Sequence, residues 1–155
     1  MRERLVDEFY RGLRHGELKT FRLAKSKVAK AEPFIWHTVQ KHPVGLAGLK
    51  DRHSLFVIVK HEYQGRGIGR ALVAKVLDIA KKRKLAYVDL SVFKCNQKAL
   101  NIYKKYGFII AADTEIDDKD CYYMVLVLNW KGWIVLYQKK MLYLLVNIKK
   151  RLAGT

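Results

Sequence analysis

Residues 55–70 read Leu-Phe-Val-Ile-Val-Lys-His-Glu-Tyr-Gln-Gly-Arg-Gly-Ile-Gly-Arg. The first five residues are an unbroken apolar run, the pattern of a strand buried on both faces. Gly65, Gly67 and Gly69 follow at alternate positions. Beyond them Ile68, Leu72, Val76, Ile79 and Ala80 fall on one face of a helix. The stretch therefore predicts a strand, a glycine turn and a helix in immediate succession. Glycine takes positive φ and lets a backbone approach a ligand closely. The first N–H groups of a helix lack internal partners and carry the positive end of its dipole. Such a turn suits a diphosphate, and Arg66 and Arg70 add charge beside it. Two familiar phosphate loops are excluded. A dinucleotide turn needs G-x-G-x-x-G, and a Walker loop needs Gly-Lys-Ser/Thr. Taken alone, the hexapeptide 64–69 is equally explained as a tight turn that holds no ligand.

Upstream, residues 3–15 place Leu5, Phe9 and Leu13 at helical spacing, and Lys-rich residues 19–31 read as a second helix ending near Pro33. Residues 34–40 and 44–49 read as a hairpin broken at His42-Pro43, and residues 51–54 as a second turn. Downstream, the helix closes in Lys81-Lys82-Arg83-Lys84, cations that complement its dipole. A strand is expected at 86–92 and a helix at 96–106 with Ala99, Ile102, Tyr103 and Tyr106 on one face. Gly107 stops that helix. Strands at 108–112 and 122–128 flank an acidic run, 113–120, read as a solvated loop. The order of elements is helices, three strands, helix, strand, helix, two strands. That is a mixed α/β (α+β) domain.

The chain has 155 residues, 50% hydrophobic and 29% charged, an ordinary globular composition able to close one core. Lys and Arg total 31 against 14 Asp and Glu, a formal +17. This balance favours anionic partners without choosing among a phosphorylated cofactor, nucleic acid and a membrane surface. Six of the basic residues and none of the acids lie beyond Trp130, leaving +11 on the preceding 129 residues. Cys95 and Cys121 are too few for a disulfide scaffold, and no metal-ligand spacing is present. Residues 1–12 hold no apolar stretch fit for a secretory signal, and no run reaches the ~20 apolar residues of a membrane span. A reduced cytoplasmic setting is the expectation.

Two linked motifs carry a resemblance. Gln64-Gly65-Arg66-Gly67-Ile68-Gly69 fits Q/R-x-x-G-x-G/A after a buried strand. Asn96, Ala99, Tyr103, Gly107 and Phe108 fit N-x-x-A-x-x-x-Y-x-x-x-G-F. Over residues 34–128 the chain resembles the GCN5-related N-acetyltransferase (GNAT) superfamily. Residues 59–63 resemble its V-x-P-E-Y lead-in, with His61 in place of proline. The resemblance implies a mostly antiparallel central sheet with helices on both faces and a splayed cofactor cleft between the fourth and fifth strands. It implies acetyl-CoA as cofactor and transfer of its acetyl group to a primary amine. Ile58 and Val59 on the fourth strand would pair with the pantetheine arm. The N–H groups of Gln64, Gly65, Arg66, Gly67, Ile68, Gly69 and Arg70 would hold the pyrophosphate. Asn96 would touch the cofactor, and Tyr103 would protonate the departing thiolate. Without the resemblance, Tyr103 reads as a core tyrosine. The general base stays open among Glu62, His53, His37, a water chain and an amine that arrives neutral; Glu62 is the one nearest the cofactor turn.

The chain departs from the family in two places. The family's first strand has no clear counterpart, with residues 20–24 the only candidate. Residues 130–155 form an extension beyond the acetyltransferase domain at 1–129. On a helix, Trp130, Trp133, Ile134, Tyr137, Met141, Leu144, Leu145, Ile148 and Leu152 make one apolar stripe, with Lys139, Lys140, Lys149 and Lys150 off it. A basic amphipathic helix can lie on a membrane through residues 130–152. Packing on the domain's own sheet, or on a second subunit in a homodimer, is the preferred reading. The acidic run could border a site for a cationic acceptor, a small molecule or a peptide amine. Two other functions compete with catalysis: nucleic-acid binding, for which no specific motif is readable, and a silent coenzyme A sensor.

Overall fold

A computed structural model describes residues 2–13, 28–116 and 118–153. Its secondary structure is α1 (Arg2–Arg11), β1 (Phe34–Val39), β2 (His42–Lys50), β3 (Ser54–Val59), a single 3₁₀ turn (His61–Tyr63), α2 (Ile68–Lys82), β4 (Tyr87–Phe93), α3 (Gln97–Lys105), β5 (Ile109–Ile116), β6 (Lys119–Val127) and α4 (Trp130–Ala153). The mixed α/β, mostly antiparallel architecture read from the sequence is borne out. The helix read at 19–31 and the strand candidate at 20–24 lie largely or wholly outside the described residues. The chain divides into two compact units, Met1–Arg83 and Lys84–Thr155.

In the first unit, strands run in the order β1-β2-β3, all antiparallel. Both connections are short and begin with two residues at positive φ: Gln40 and Lys41 (49° and 67°) make a two-residue turn, and Asp51 and Arg52 (52° and 71°) open a three-residue turn that ends at His53. That backbone matches the right-handed twist of paired strands. Pro43 does not break the hairpin as expected. It sits inside β2 opposite Thr38, where the register shifts. A bulge spares the ladder the N–H that proline lacks. β2 is buried from Pro43 to Leu49 because both its faces are covered. Val6, Phe9 and Tyr10 of α1 join Phe34, Leu46, Phe56 and Ile58 in one cluster. α2 lies over Gly45, where an added Cβ would stand 2.9 Å from Leu72 Cδ1 and 3.2 Å from Ile68 Cγ2. α2 buries Ile68, Leu72, Val73, Val76, Leu77 and Ala80. Each Val, Leu or Ile among them contributes about 1.5–3 kcal/mol when fully buried.

In the second unit the order is β4-β6-β5, again antiparallel. The acidic run is not the loop expected. Asp113 and Glu115 lie on β5 and Asp120 on β6, so the strands reach almost to the turn. Glu115 stands directly opposite Asp120. Both are exposed, so water screens the like charges. Asp113 is ion-paired with Lys94 at 2.5 Å.

The extension is helical, as expected, but its stripe does not pack on the domain's own sheet. α4 docks through other residues. Leu136 and Tyr143 pack with Tyr123 and Val125. Gly132 lies so close to the Ala86 carbonyl that a Cβ there would clash. Asn129 joins the helix to the segment leading into β4: its Oδ1 accepts from Lys131 N (3.0 Å) and its Nδ2 donates to Leu85 O (3.2 Å). Asp89, 3% exposed, accepts from the Tyr123 hydroxyl at 2.6 Å and pairs with Lys139 Nζ at 3.4 Å. Lys139 thus belongs to the docked face, its ammonium over the Tyr123 and Tyr87 rings. The stripe points to solvent. Trp130 is 69% and Tyr137 73% exposed, and Trp133, Ile134, Met141, Leu144, Leu145, Ile148 and Leu152 are exposed too.

Candidate active site

The chemistry-bearing residues of the first unit start at the end of β3. Ile58 and Val59 are buried and pair with Leu46 and Gly45 of β2. The 3₁₀ turn then carries Glu62 on the surface. Gln64 bends back, and its Nε2 donates to the Val59 carbonyl at 3.1 Å. This side chain pins the turn to the strand it leaves. Gly65 and Gly67 follow at φ 78° and 79°, in the left-handed region. An added Cβ would meet no other atom within 4 Å at either. Backbone conformation, not crowding, calls for glycine at both. Gly69 differs. It lies within α2, and its Cβ would make an ordinary 3.6 Å contact with Val59 Cγ2.

Gly67 is the N-cap of α2, and no side chain caps the helix there. The first turn of α2 holds no acidic residue. A helix start usually recruits a Ser, Thr, Asp or Asn oxygen for its unpaired N–H groups. Here no side chain caps the first donors and no acid answers the dipole's positive end, and Arg66 and Arg70 are exposed beside them. The Arg66 guanidinium lies 5.2 Å from the centre of the Tyr63 ring. That contact holds the Arg66 side chain against the turn.

In the second unit Asn96 is the N-cap of α3, its Oδ1 accepting from Ala99 N at 3.1 Å. Tyr103 follows two turns on, with its ring edge-on to Phe108 at 5.6 Å between centroids. The Tyr103 carbonyl also accepts from Phe108 N at 3.1 Å, across Gly107 at φ 89°. Burial pushes the Tyr103 phenol up to about 12, so it keeps its proton throughout the neutral range. His53 Nδ1 lies 2.6 Å from the Asp51 carbonyl, held within its own turn, and His37 is half-buried on β1. Among the described residues, no cluster of His, Cys, Asp and Glu could hold a metal ion.

The family model for the acetyltransferase (GNAT) family matches residues 1–108. The chain belongs to the acetyltransferase (GNAT) family. The peptidyl-lysine N-acetyltransferase YjaB of Escherichia coli is 28% identical over 110 residues, 71% of each chain. Among solved structures, the ribosomal-protein-S18-alanine N-acetyltransferase of Escherichia coli superposes with a TM-score of 0.59 at 25% identity. That match covers 68% of this chain and 77% of that one. A Salmonella typhimurium acetyltransferase, solved with its cofactor acetyl-CoA, shares the fold with a TM-score of 0.52 at 21% identity, over 58% and 61% of the two chains. This GNAT protein is accordingly an acyltransferase of the N-acetyltransferase class, and acetyl-CoA is the family's cofactor. The uncapped, acid-free start of α2 behind two left-handed glycines fits the diphosphate of that cofactor.

Proposed function

We propose that this protein binds acetyl-CoA at the 64–70 turn and moves its acetyl group to a primary amine by direct attack on the thioester. The observation that carries the reading is the start of α2. Its N–H donors have no side-chain cap, no acid competes for them, and two arginines stand beside them. The Gln64 N–H, expected on the diphosphate, donates instead to the His61 carbonyl at 3.1 Å, so the backbone N–H groups from Gly65 onward would hold the diphosphate, with Arg66 and Arg70 adding charge. The backbone of Ile58 and Val59 would pair with the pantetheine arm. With its Oδ1 committed to the cap of α3, Asn96 can offer the cofactor its amide N–H donors. When bound, acetyl-CoA supplies an acetyl group already activated as a thioester. Tyr103 would hold a proton on its phenol and deliver it to the departing sulfur. At neutral pH that proton stays in place, since burial pushes the phenol up to about 12. Glu62 is the candidate base for the incoming ammonium.

The relatives are named for peptidyl-lysine and for a protein alanine. Both offer primary amines on peptides, which supports a peptide-borne amine as acceptor. Free thiols at Cys95 and Cys121 support a reducing, cytoplasmic setting. The test is calorimetry with acetyl-CoA followed by thiol release on an amine panel that includes lysyl peptides, N-terminal alanyl peptides and polyamines. The Tyr103→Phe variant is expected to keep cofactor affinity and lose roughly 100-fold or more in turnover, the usual weight of a general acid. No binding at millimolar acetyl-CoA rejects the reading. Unchanged turnover in Tyr103→Phe removes that residue from the acid role alone.

A further inference from the structure

α4 is a helix with two working faces. One carries Gly132, Leu136, Lys139 and Tyr143 and is spent on docking to its own unit. The other carries Trp130, Trp133, Ile134, Tyr137, Met141, Leu144, Leu145, Ile148 and Leu152, all exposed. At 1.5 Å per residue, 24 residues run about 36 Å, so this is a long apolar ridge rather than scattered surface leucines.

The charges beside the ridge decide what covers it. Lys131 and Lys149 lie 18 residues apart, five full helical turns, and so share one flank. Lys140 lies on the opposite flank. All three are exposed, and Lys131 Nζ sits 5.7 Å from the centre of the Trp130 ring at the ridge edge. No Asp or Glu occurs anywhere in residues 130–153. A second copy laid face to face would bring the same cations together, with no carboxylate on either helix to pair with them. An anionic lipid surface meets both requirements at once. Acyl chains take the ridge, headgroups take the lysines, and the tryptophans sit at the boundary between them. Among the described residues, no helix is long and apolar enough to cross a membrane.

We infer that α4 is an interfacial membrane-binding helix. It lies flat on an anionic bilayer with the Trp133–Leu145 ridge inserted and Lys131, Lys140 and Lys149 at the headgroups. The experiment is flotation of the full chain with neutral phosphatidylcholine vesicles and with vesicles that also carry phosphatidylglycerol. Tryptophan emission is read in a Trp36→Phe background, so that Trp130 and Trp133 report. Flotation with the anionic vesicles and a blue shift are expected. Both should be lost in Ile134→Glu/Leu145→Glu, whose two sites face solvent and leave the docked face intact. Circular dichroism of that variant checks that the fold is kept. The inference is overturned by no flotation, by equal flotation on neutral vesicles, or by flotation that survives the double substitution. It is also overturned if sedimentation velocity finds a dimer that the double substitution makes monomeric. That result would assign the ridge to a second copy. None of these outcomes depends on acetyl transfer.

Discussion

At Gly65 and Gly67 the backbone stands at φ near 80°, whereas Gly69 sits inside a helix. An L-residue in the left-handed region costs about 1–2 kcal/mol. Alanine in place of glycine within a helix gains up to about 1 kcal/mol. Gly65→Ala and Gly67→Ala should therefore lower the melting temperature and weaken acetyl-CoA binding. Gly69→Ala should leave stability unchanged or raise it. Thermal melts and calorimetry on the three variants check this. A uniform loss across all three would mean that close approach to the backbone, not φ, selects glycine. The motif was readable at these positions, whereas Asn96 was read as a cofactor contact and not as the cap of α3 that it forms. The Gln64 amide bound to Val59 was not, because spacing does not say where a long side chain turns.

At the scale of elements, α4 is the instructive case. Periodicity picked out its apolar stripe, and that stripe is real. Periodicity could not say which face docks, because the docking face is built from a glycine, one leucine, a tyrosine and a lysine that finds a buried carboxylate. Gly132 marks the closest approach, against the Ala86 carbonyl. Gly132→Val is expected to destabilise the protein by about 1–3 kcal/mol in chemical denaturation, the usual penalty of overpacking. Substitution of exposed Gln138 by alanine should stay within about 0.5 kcal/mol. Deleting α4 altogether would uncover Tyr123 and Val125 and strip Asp89 of Lys139, so point substitutions on the exposed ridge are the cleaner probe of its role. The acidic run teaches the same lesson. Its composition reads as loop, yet strand pairing uses backbone groups and tolerates charged side chains that face water.

Across the whole molecule, tyrosines link the fold to pH. Burial holds Tyr103 at about 12 against 10.0 for an ordinary tyrosine. Burial and then the hydrogen bond to Asp89 push Tyr123 up as well. A group whose pKa is raised by folding stabilises fully below its unfolded value and loses that contribution as pH climbs through the folded one. The contribution of these two tyrosines should be level up to about pH 10 and fall above it, with Tyr103's share, on the order of 3 kcal/mol, lost between pH 10 and 12 and Tyr123's fall continuing beyond. Denaturant titrations at neutral and alkaline pH check this, and Tyr103→Phe should flatten the fall. A profile unchanged by that substitution would mean the phenol is not held protonated by the fold.

What the sequence determined by itself was whatever depends on near neighbours. The buried run into Gly65, Gly67 and Gly69, the helical stripes of α2 and α3, and the Asn96–Phe108 spacing announced the fold class and the glycine turn that opens α2. Local backbone geometry and amphipathic period are properties of a few consecutive residues, so they can be read in order. The tertiary structure decided what depends on residues far apart along the chain. It buried Asp89 under Tyr123 and Lys139, 34 and 50 positions away. It carried Pro43 into a strand through a bulge. It also turned the apolar ridge of α4 outward, because the sheet accepted the face that Gly132 lets come close.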